Sequence, residues 1–243
     1  MIKKPMWRGL SAVALTAALP LLATAPTADA APSPVRAGTW SSAPAVAAPG
    51  ALAPSAGRRV VFPEPPPTDL VRAELDKLTV EAPHSMAGYS RAMFPHWVKQ
   101  YGECDTREVV LSRDGEAVTQ DSACKAFAGS WYSAYDDKSI DSASKVDIDH
   151  MVPLANGWRS GADTWDTTKR RAFANDLDHS QLIAVSASSN RSKGDQSPDQ
   201  WAPSNVDYWC TYSRAWTHIK SLYGLSITKP EKEKLISMLN TCD

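Results

Sequence analysis

Cysteine placement constrains this fold more than any other feature of the sequence. Cys104, Cys124, Cys210 and Cys242 are the four cysteines of the chain, and four cysteines allow three pairings. Sequential pairing, Cys104 with Cys124 and Cys210 with Cys242, is expected because each pair brackets a compact segment. A structural zinc site is the alternative, and the lack of any C-x-x-C pair argues against it. As disulfides, the bridges call for an oxidising compartment and each stabilises a fold by roughly 2–4 kcal/mol.

The N-terminus points to the same compartment. Lys3, Lys4 and Arg8 form a basic start, residues 10–25 carry no charge, and Ala28-Asp29-Ala30 has the small-x-small pattern of a signal-peptidase site. The apolar run is short for a bilayer span and is interrupted by Pro20. Residues 1–30 therefore read as a signal peptide, which makes the mature protein secreted, extracellular and free of the membrane. Residues 31–67, rich in Ala, Pro, Ser and Gly and ending in Pro65-Pro66-Pro67, read as a disordered linker. Residues 68–243 are the right size for one domain, expected to act as a monomer.

Charge excludes little. The chain has 26 basic and 27 acidic residues; without Lys3, Lys4, Arg8 and Asp29 the balance is 23 to 26, a net charge of −3. A nucleic-acid-binding chain of this balance needs a local basic patch, because a global one is absent.

The domain is expected to open with a helix capped by Thr68, with Val71, Leu75 and Leu78 on one face and Pro83 as its end. Residues 106–111 read as a strand, Asp114-Gly115 as a tight turn and residues 116–121 as the return strand, stapled at the open end by Cys104 and Cys124. Strands are also expected over residues 145–154 and 181–185. A short helix spans 167–175, and another, capped by Ser186 or Ser188 and stopped by Gly194, carries Asn190. A long aromatic helix spans 206–223. A last helix starts at a Thr228–Glu231 capping box and buries Leu235, Met238 and Leu239.

The chemistry lies in the order strand, strand, helix. Pairing the two central strands and laying the helix across them brings Asn190 beside Asp149 and His150. A hard cation such as Mg²⁺ prefers oxygen ligands, which Asp149 and Asn190 supply. His150, with an ordinary pKa of about 6.5, suits a base that takes a proton from water. An isolated Asp-His pair or a lone Asn is more often structural, so the arrangement carries the reading. A neutral His150 with an ordinary pKa would let activity fall below about pH 6.

Two stretches carry a resemblance to a known family. Asp147-Ile148-Asp149-His150-Met151-Val152-Pro153-Leu154 is followed by Trp158-Arg159-Ser160-Gly161-Ala162 and Trp165. Gln181-Leu182-Ile183-Ala184-Val185 is followed by Ser188-Ser189-Asn190-Arg191-Ser192-Lys193-Gly194-Asp195. Together they resemble secreted actinobacterial HNH endonucleases, related to the C-terminal nuclease domain of GmrSD-type restriction enzymes. The resemblance implies an α+β fold: a ββα-metal core with an added N-terminal hairpin and C-terminal helices. It implies metal-dependent hydrolysis of phosphodiesters in DNA, with RNA a further substrate, and one divalent ion, Mg²⁺ or Mn²⁺. His150 matches the general base, and Asp149 and Asn190 match metal ligands. The middle position of the motif, usually Asn, is taken by Gln181, with His179 as a shifted candidate.

Further candidates have bland alternatives. Arg159, Gln181, Arg191 and Lys193 are expected to contact substrate; Arg159 could instead brace its loop through Asp163, and Arg191 and Lys193 could be solvated helix charge. Asp147 shares a strand face with Asp149 and is either a supporting carboxylate or exposed. Lys169, Arg170 and Arg171 read as a solvated face. Trp158, Trp165 and Trp201 suit base stacking or, more simply, the core. His84, His96 and His218 are assigned no chemistry. Two other function classes remain open: a non-catalytic extracellular binding module on the same fold, and a hydrolase of other phosphate esters.

Overall fold

The structure, a computed structural model, describes residues 62–242. The expected signal peptide and most of the expected linker lie outside the described residues. The last part of that linker belongs to the fold. Phe62 packs on the core, Ser180 Oγ donates to the Pro63 carbonyl at 2.7 Å, and Arg214 donates to the carbonyls of Pro65 and Pro66. Extended proline backbone leaves carbonyls without ladder partners, and these side chains satisfy them. The boundary expected at Pro67 is thus too late.

Helix α1 (Thr68–Lys77) buries Val71 and Leu75. Pro67 rather than Thr68 holds the N-cap position, and the helix stops at Lys77, well before Pro83. Strands β1 (Lys99–Tyr101) and β2 (Cys104–Asp105) form a short antiparallel pair.

The strand expected over residues 106–111 is instead helix α2 (Thr106–Asp114). Asp105 caps it, its side chain accepting the Glu108 N–H at 2.9 Å. Thr106, Val110 and Arg113 are buried at helical spacing. The hairpin follows: β3 (Gly115–Gln120) pairs with β4 (Ala126–Ser133), and β4 with β5 (Lys138–Ile140), all antiparallel. Asp114-Gly115 is the junction between helix and strand, not the hairpin turn. Both expected disulfides are present. Cys104–Cys124 joins β2 to the β3–β4 turn rather than closing the hairpin's open end.

The middle of the chain builds a two-stranded ribbon. Strand β6 (Val146–His150) is followed by α3 (Leu154–Arg159), α4 (Thr167–Ala174), β7 (Leu182–Ser186) and α5 (Ala187–Lys193). Strand β6 is shorter than expected because Pro153 and Leu154 open α3. Strands β6 and β7 are antiparallel, with Asp147 opposite Val185, Asp149 opposite Ile183 and His150 opposite Leu182. Helix α5 packs on both strands. The Ser186 side chain caps it by accepting the Ser189 N–H at 3.1 Å, and Gly194 ends it at φ 54°. The chain closes with α6 (Trp209–Tyr223) and α7 (Lys229–Leu239), the latter with the expected capping box.

The ribbon divides two cores. Val146, Ile148, Leu182 and Ala184 join Val110, Leu111 and Trp131 on one side. Ile183 and Val185 join the aromatic core with Phe173, Tyr212 and Trp216 on the other. Alternation along β6 therefore sends Asp147 and Asp149 toward the aromatic core and His150 toward the opposite face. The described residues are a mixed α and β domain with small sheets and two disulfides.

Candidate active site

His150 ends β6 with its ring almost wholly buried, 4% exposed. Its Nε2–H donates to the Ala174 carbonyl at 3.0 Å, at the end of α4. That bond fixes the tautomer and leaves Nδ1 with the lone pair. Trp97 stacks on the imidazole, centroids 5.4 Å apart and planes within 25°. Trp97 adopts a left-handed φ of 55°, a conformation costly for a bulky side chain and found where surroundings over-determine it. Burial depresses the His150 pKa to about 3; the Ala174 hydrogen bond opposes this, and the positive charge of Arg91 adds to it. The ring is accordingly neutral at physiological pH.

Asp149 is 5% exposed, and one of its oxygens is held twice. Oδ2 accepts from Tyr135 Oη at 2.6 Å and from Lys193 Nζ at 2.8 Å. Lys193, on the last turn of α5, also donates to the His150 carbonyl at 2.9 Å. Burial pushes the Asp149 pKa up and the Lys193 pKa down, and their mutual attraction opposes both changes. Since both contacts fall on Oδ2, Oδ1 is the oxygen left for the cavity that Asp149 lines.

Asn190 lies one turn before Lys193 on α5. Its Nδ2 donates to Asp147 Oδ2 at 3.1 Å, so its Oδ1 remains an acceptor. Asp147 is thus a supporting carboxylate, not a free surface group. Asp149, His150 and Asn190 line one cavity of about 200 Å³, with Tyr89, Arg91 and Asp195 on its walls. A larger cleft of about 1030 Å³ adjoins it at Asp195. Its lining includes the carboxylates of Glu81, Asp199 and Glu231 but none of the three motif residues.

The expected substrate contacts do not reach this cavity. Lys193 is 0% exposed and committed to Asp149, so its ammonium is a brace and not a phosphate ligand. Gln181 is also 0% exposed; its Oε1 accepts the Val152 N–H at 3.1 Å and its Nε2 donates to the Val152 carbonyl at 3.0 Å. It clamps the turn after His150 and is sealed from the cavity. His179 binds Asp176 instead, in a different cavity. Arg159 braces its loop through Asp195, at 2.6 Å, not through Asp163, which pairs with His84. Arg191 is exposed and faces a separate depression beside Lys138 and Lys145.

Arg170 and the three tryptophans serve the fold. Arg170 is buried and donates to the carbonyls of Met93, Ala162 and Trp165, so the basic run is not simply a solvated face. Trp158 belongs to the core, and Trp165 and Trp201 pack against it. Sequence reasoning missed Arg91, Tyr89, Trp97 and Tyr135. Arg91 donates its Nε to His96 Nε2 at 3.2 Å, and His96 is itself fixed by donating Nδ1–H to the Phe94 carbonyl at 2.8 Å. The outer guanidinium nitrogens of this exposed Arg are left to the cavity mouth.

Asp149 Oδ1 and Asn190 Oδ1 are the oxygens that suit a hard cation here. Among the described residues, no group of three or more His, Cys, Asp or Glu could hold a metal ion. A cation in this cavity would therefore rest on two protein oxygens and keep water or phosphate as its other ligands, as Mg²⁺ tolerates.

Comparisons with known proteins agree with the motif. The family model described as GmrSD restriction endonucleases, C-terminal domain, matches residues 106–238. That stretch contains Asp149, His150, Asn190 and Lys193 but not Arg91 or Trp97. A protein of Arthroderma benhamiae named "Uncharacterized secreted protein" is 52% identical over 180 residues, covering 74% of this chain and 88% of the relative. No solved structure matches.

Proposed function

The chain belongs to the family of GmrSD restriction endonuclease C-terminal domains, and from that premise we propose that it is a secreted endonuclease of the HNH, or ββα-metal, type that hydrolyses phosphodiester bonds in DNA, with RNA as a further substrate. Its two disulfides and its secreted relative accord with an extracellular protein. Among the described residues, no helix is long and apolar enough to cross a membrane.

One observation carries the reading. A neutral imidazole with a fixed tautomer shares a cavity with two oxygens suited to a hard cation and an exposed guanidinium. His150 Nδ1 accepts a proton from the attacking water as its oxygen bonds to phosphorus. One P–O ester bond then breaks, and the leaving alkoxide takes a proton from solvent. Arg91 offers two parallel N–H donors to the non-bridging phosphate oxygens. Trp97 and the Ala174 carbonyl hold the imidazole in place, and Lys193 with Tyr135 holds the Asp149 carboxylate. A divalent ion, Mg²⁺ or Mn²⁺, held by Asp149 and Asn190 would supply charge stabilisation at the phosphorane and the leaving oxygen.

The net charge of −3 without the leader's charged residues favours a second reading, hydrolysis of small phosphate esters. A divalent-metal screen against plasmid DNA, RNA and a small aryl phosphodiester tests both. The nuclease reading expects polymer cleavage that EDTA stops; cleavage of the aryl ester alone would favour the second.

A further inference from the structure

We propose that His179 and His218 form a second, transition-metal site, outside the cavity of His150 and independent of the nuclease reading. His179 lies in the loop before β7, and His218 lies on α6. Each ring is oriented by a carboxylate. His179 Nδ1 is 3.0 Å from Asp176 Oδ2, and His218 Nδ1 is 3.1 Å from Glu74 Oε1 on α1. A carboxylate oxygen accepts these contacts, so each Nδ1 carries the hydrogen and each Nε2 is the nitrogen available to a metal ion. A carboxylate behind each imidazole is the outer arrangement found at histidine metal sites, where it fixes the ring and raises its basicity.

The spacing suits one shared ion. The ring centroids are 6.0 Å apart. A tetrahedral ion bonded to both Nε2 atoms would place the two ring centroids roughly 5–5.5 Å apart at ordinary zinc–nitrogen lengths. The centroids would have to approach by about one ångström or less. The pair is also accessible: the His179 and His218 side chains are 42% and 18% exposed.

Asp176 is held firmly enough to serve as a fixed support. It accepts the N–H groups of Asp178 and His179, each at 3.0 Å, and the Tyr223 hydroxyl at 2.8 Å. With two imidazoles as protein ligands and water completing the shell, the site favours Zn²⁺, Ni²⁺ or Cu²⁺ over the hard cations suited to Asp149 and Asn190. An ion there would tie the loop leading to Gln181 and β7 to α6.

Zinc titration calorimetry on the disulfide-intact protein tests this. The expected result is Zn²⁺ binding that His179→Gln and His218→Gln each weaken by more than roughly 100-fold, and that Glu74→Gln, which keeps both rings, weakens roughly 10- to 100-fold. Electron paramagnetic resonance of the unmodified protein with one equivalent of Cu²⁺ should show two equatorial imidazole nitrogens. Zinc binding unchanged in His179→Gln, or a copper spectrum with one nitrogen or none, would overturn the proposal.

Discussion

Lys193 Nζ lies 2.8 Å from Asp149 Oδ2, with the two side chains 0% and 5% exposed. This buried pair joins the end of α5 to the end of β6, the two elements that carry Asn190 and His150. Removing one partner of such a pair strands the other charge, at a cost of roughly 3–5 kcal/mol. Lys193→Met should therefore unfold at markedly lower denaturant concentration. Adding Asp149→Leu to it should restore much of the stability while leaving the protein without activity. Equal stability of Lys193→Met and the unsubstituted protein in urea melts would refute the brace.

Acid should weaken the fold through His150. Its folded pKa, about 3, lies below the ordinary value of 6.5. Above pH 6.5 the ring is neutral in both states and contributes no pH dependence. As the pH falls from 6.5 toward 3, the unfolded chain takes up a proton that the folded ring excludes, and stability drops by an amount on the order of 4 kcal/mol. The ring itself stays neutral, so the acid limb of activity should lie below the pH 6 expected for an ordinary histidine. Urea melts at pH 7, 5 and 4 should show this slope, and His150→Gln should lose that share of it. An identical slope in the variant would remove His150 as the cause.

How far the sequence revealed this arrangement differs by element. Helix α5 was legible because Ser186 and Gly194 are local signals, and α7 because a capping box spans four residues. Helix α2 was misread because the β-branched Val109 and Val110 favour strands by type, while its cap, Asp105, precedes the segment read as a strand. Asp149, His150 and Asn190 were legible from paired motifs and do line one cavity. Lys193 was picked out as a substrate contact, but its buried pairing with Asp149 was not legible, since a lysine near a helix end normally reaches solvent. Tyr135 and Arg91 carry no motif, and only tertiary packing brings them to Asp149 and to the cavity mouth.

Arg91 should act on substrate without supporting the fold. It is exposed, and its only described side-chain partner is His96. Arg91→Ala should leave the melting temperature unchanged and lower kcat/KM for plasmid cleavage by about 10- to 100-fold, as expected for losing a charge-assisted phosphate contact. Steady-state kinetics check it, and unaltered kcat/KM would exclude the phosphate role.

Asp147 should matter through Asn190. Its carboxylate receives the Asn190 amide at 3.1 Å and so determines which atom faces the cavity. Asp147→Ala should weaken Mn²⁺ binding, read by calorimetry, roughly 10- to 100-fold although Asp147 is not itself a ligand. Asn190→Ala should weaken it at least as much. Binding indifferent to both substitutions would place the metal elsewhere.

The most direct measurement of the central claim is plasmid cleavage by the disulfide-intact protein and by His150→Ala, with circular dichroism confirming that both are folded. The account predicts cleavage in Mg²⁺ or Mn²⁺, its loss in EDTA, and a rate lower by roughly 10²- to 10⁴-fold in the variant, the usual contribution of a positioned base. Cleavage by folded His150→Ala at the rate of the unsubstituted protein would contradict it.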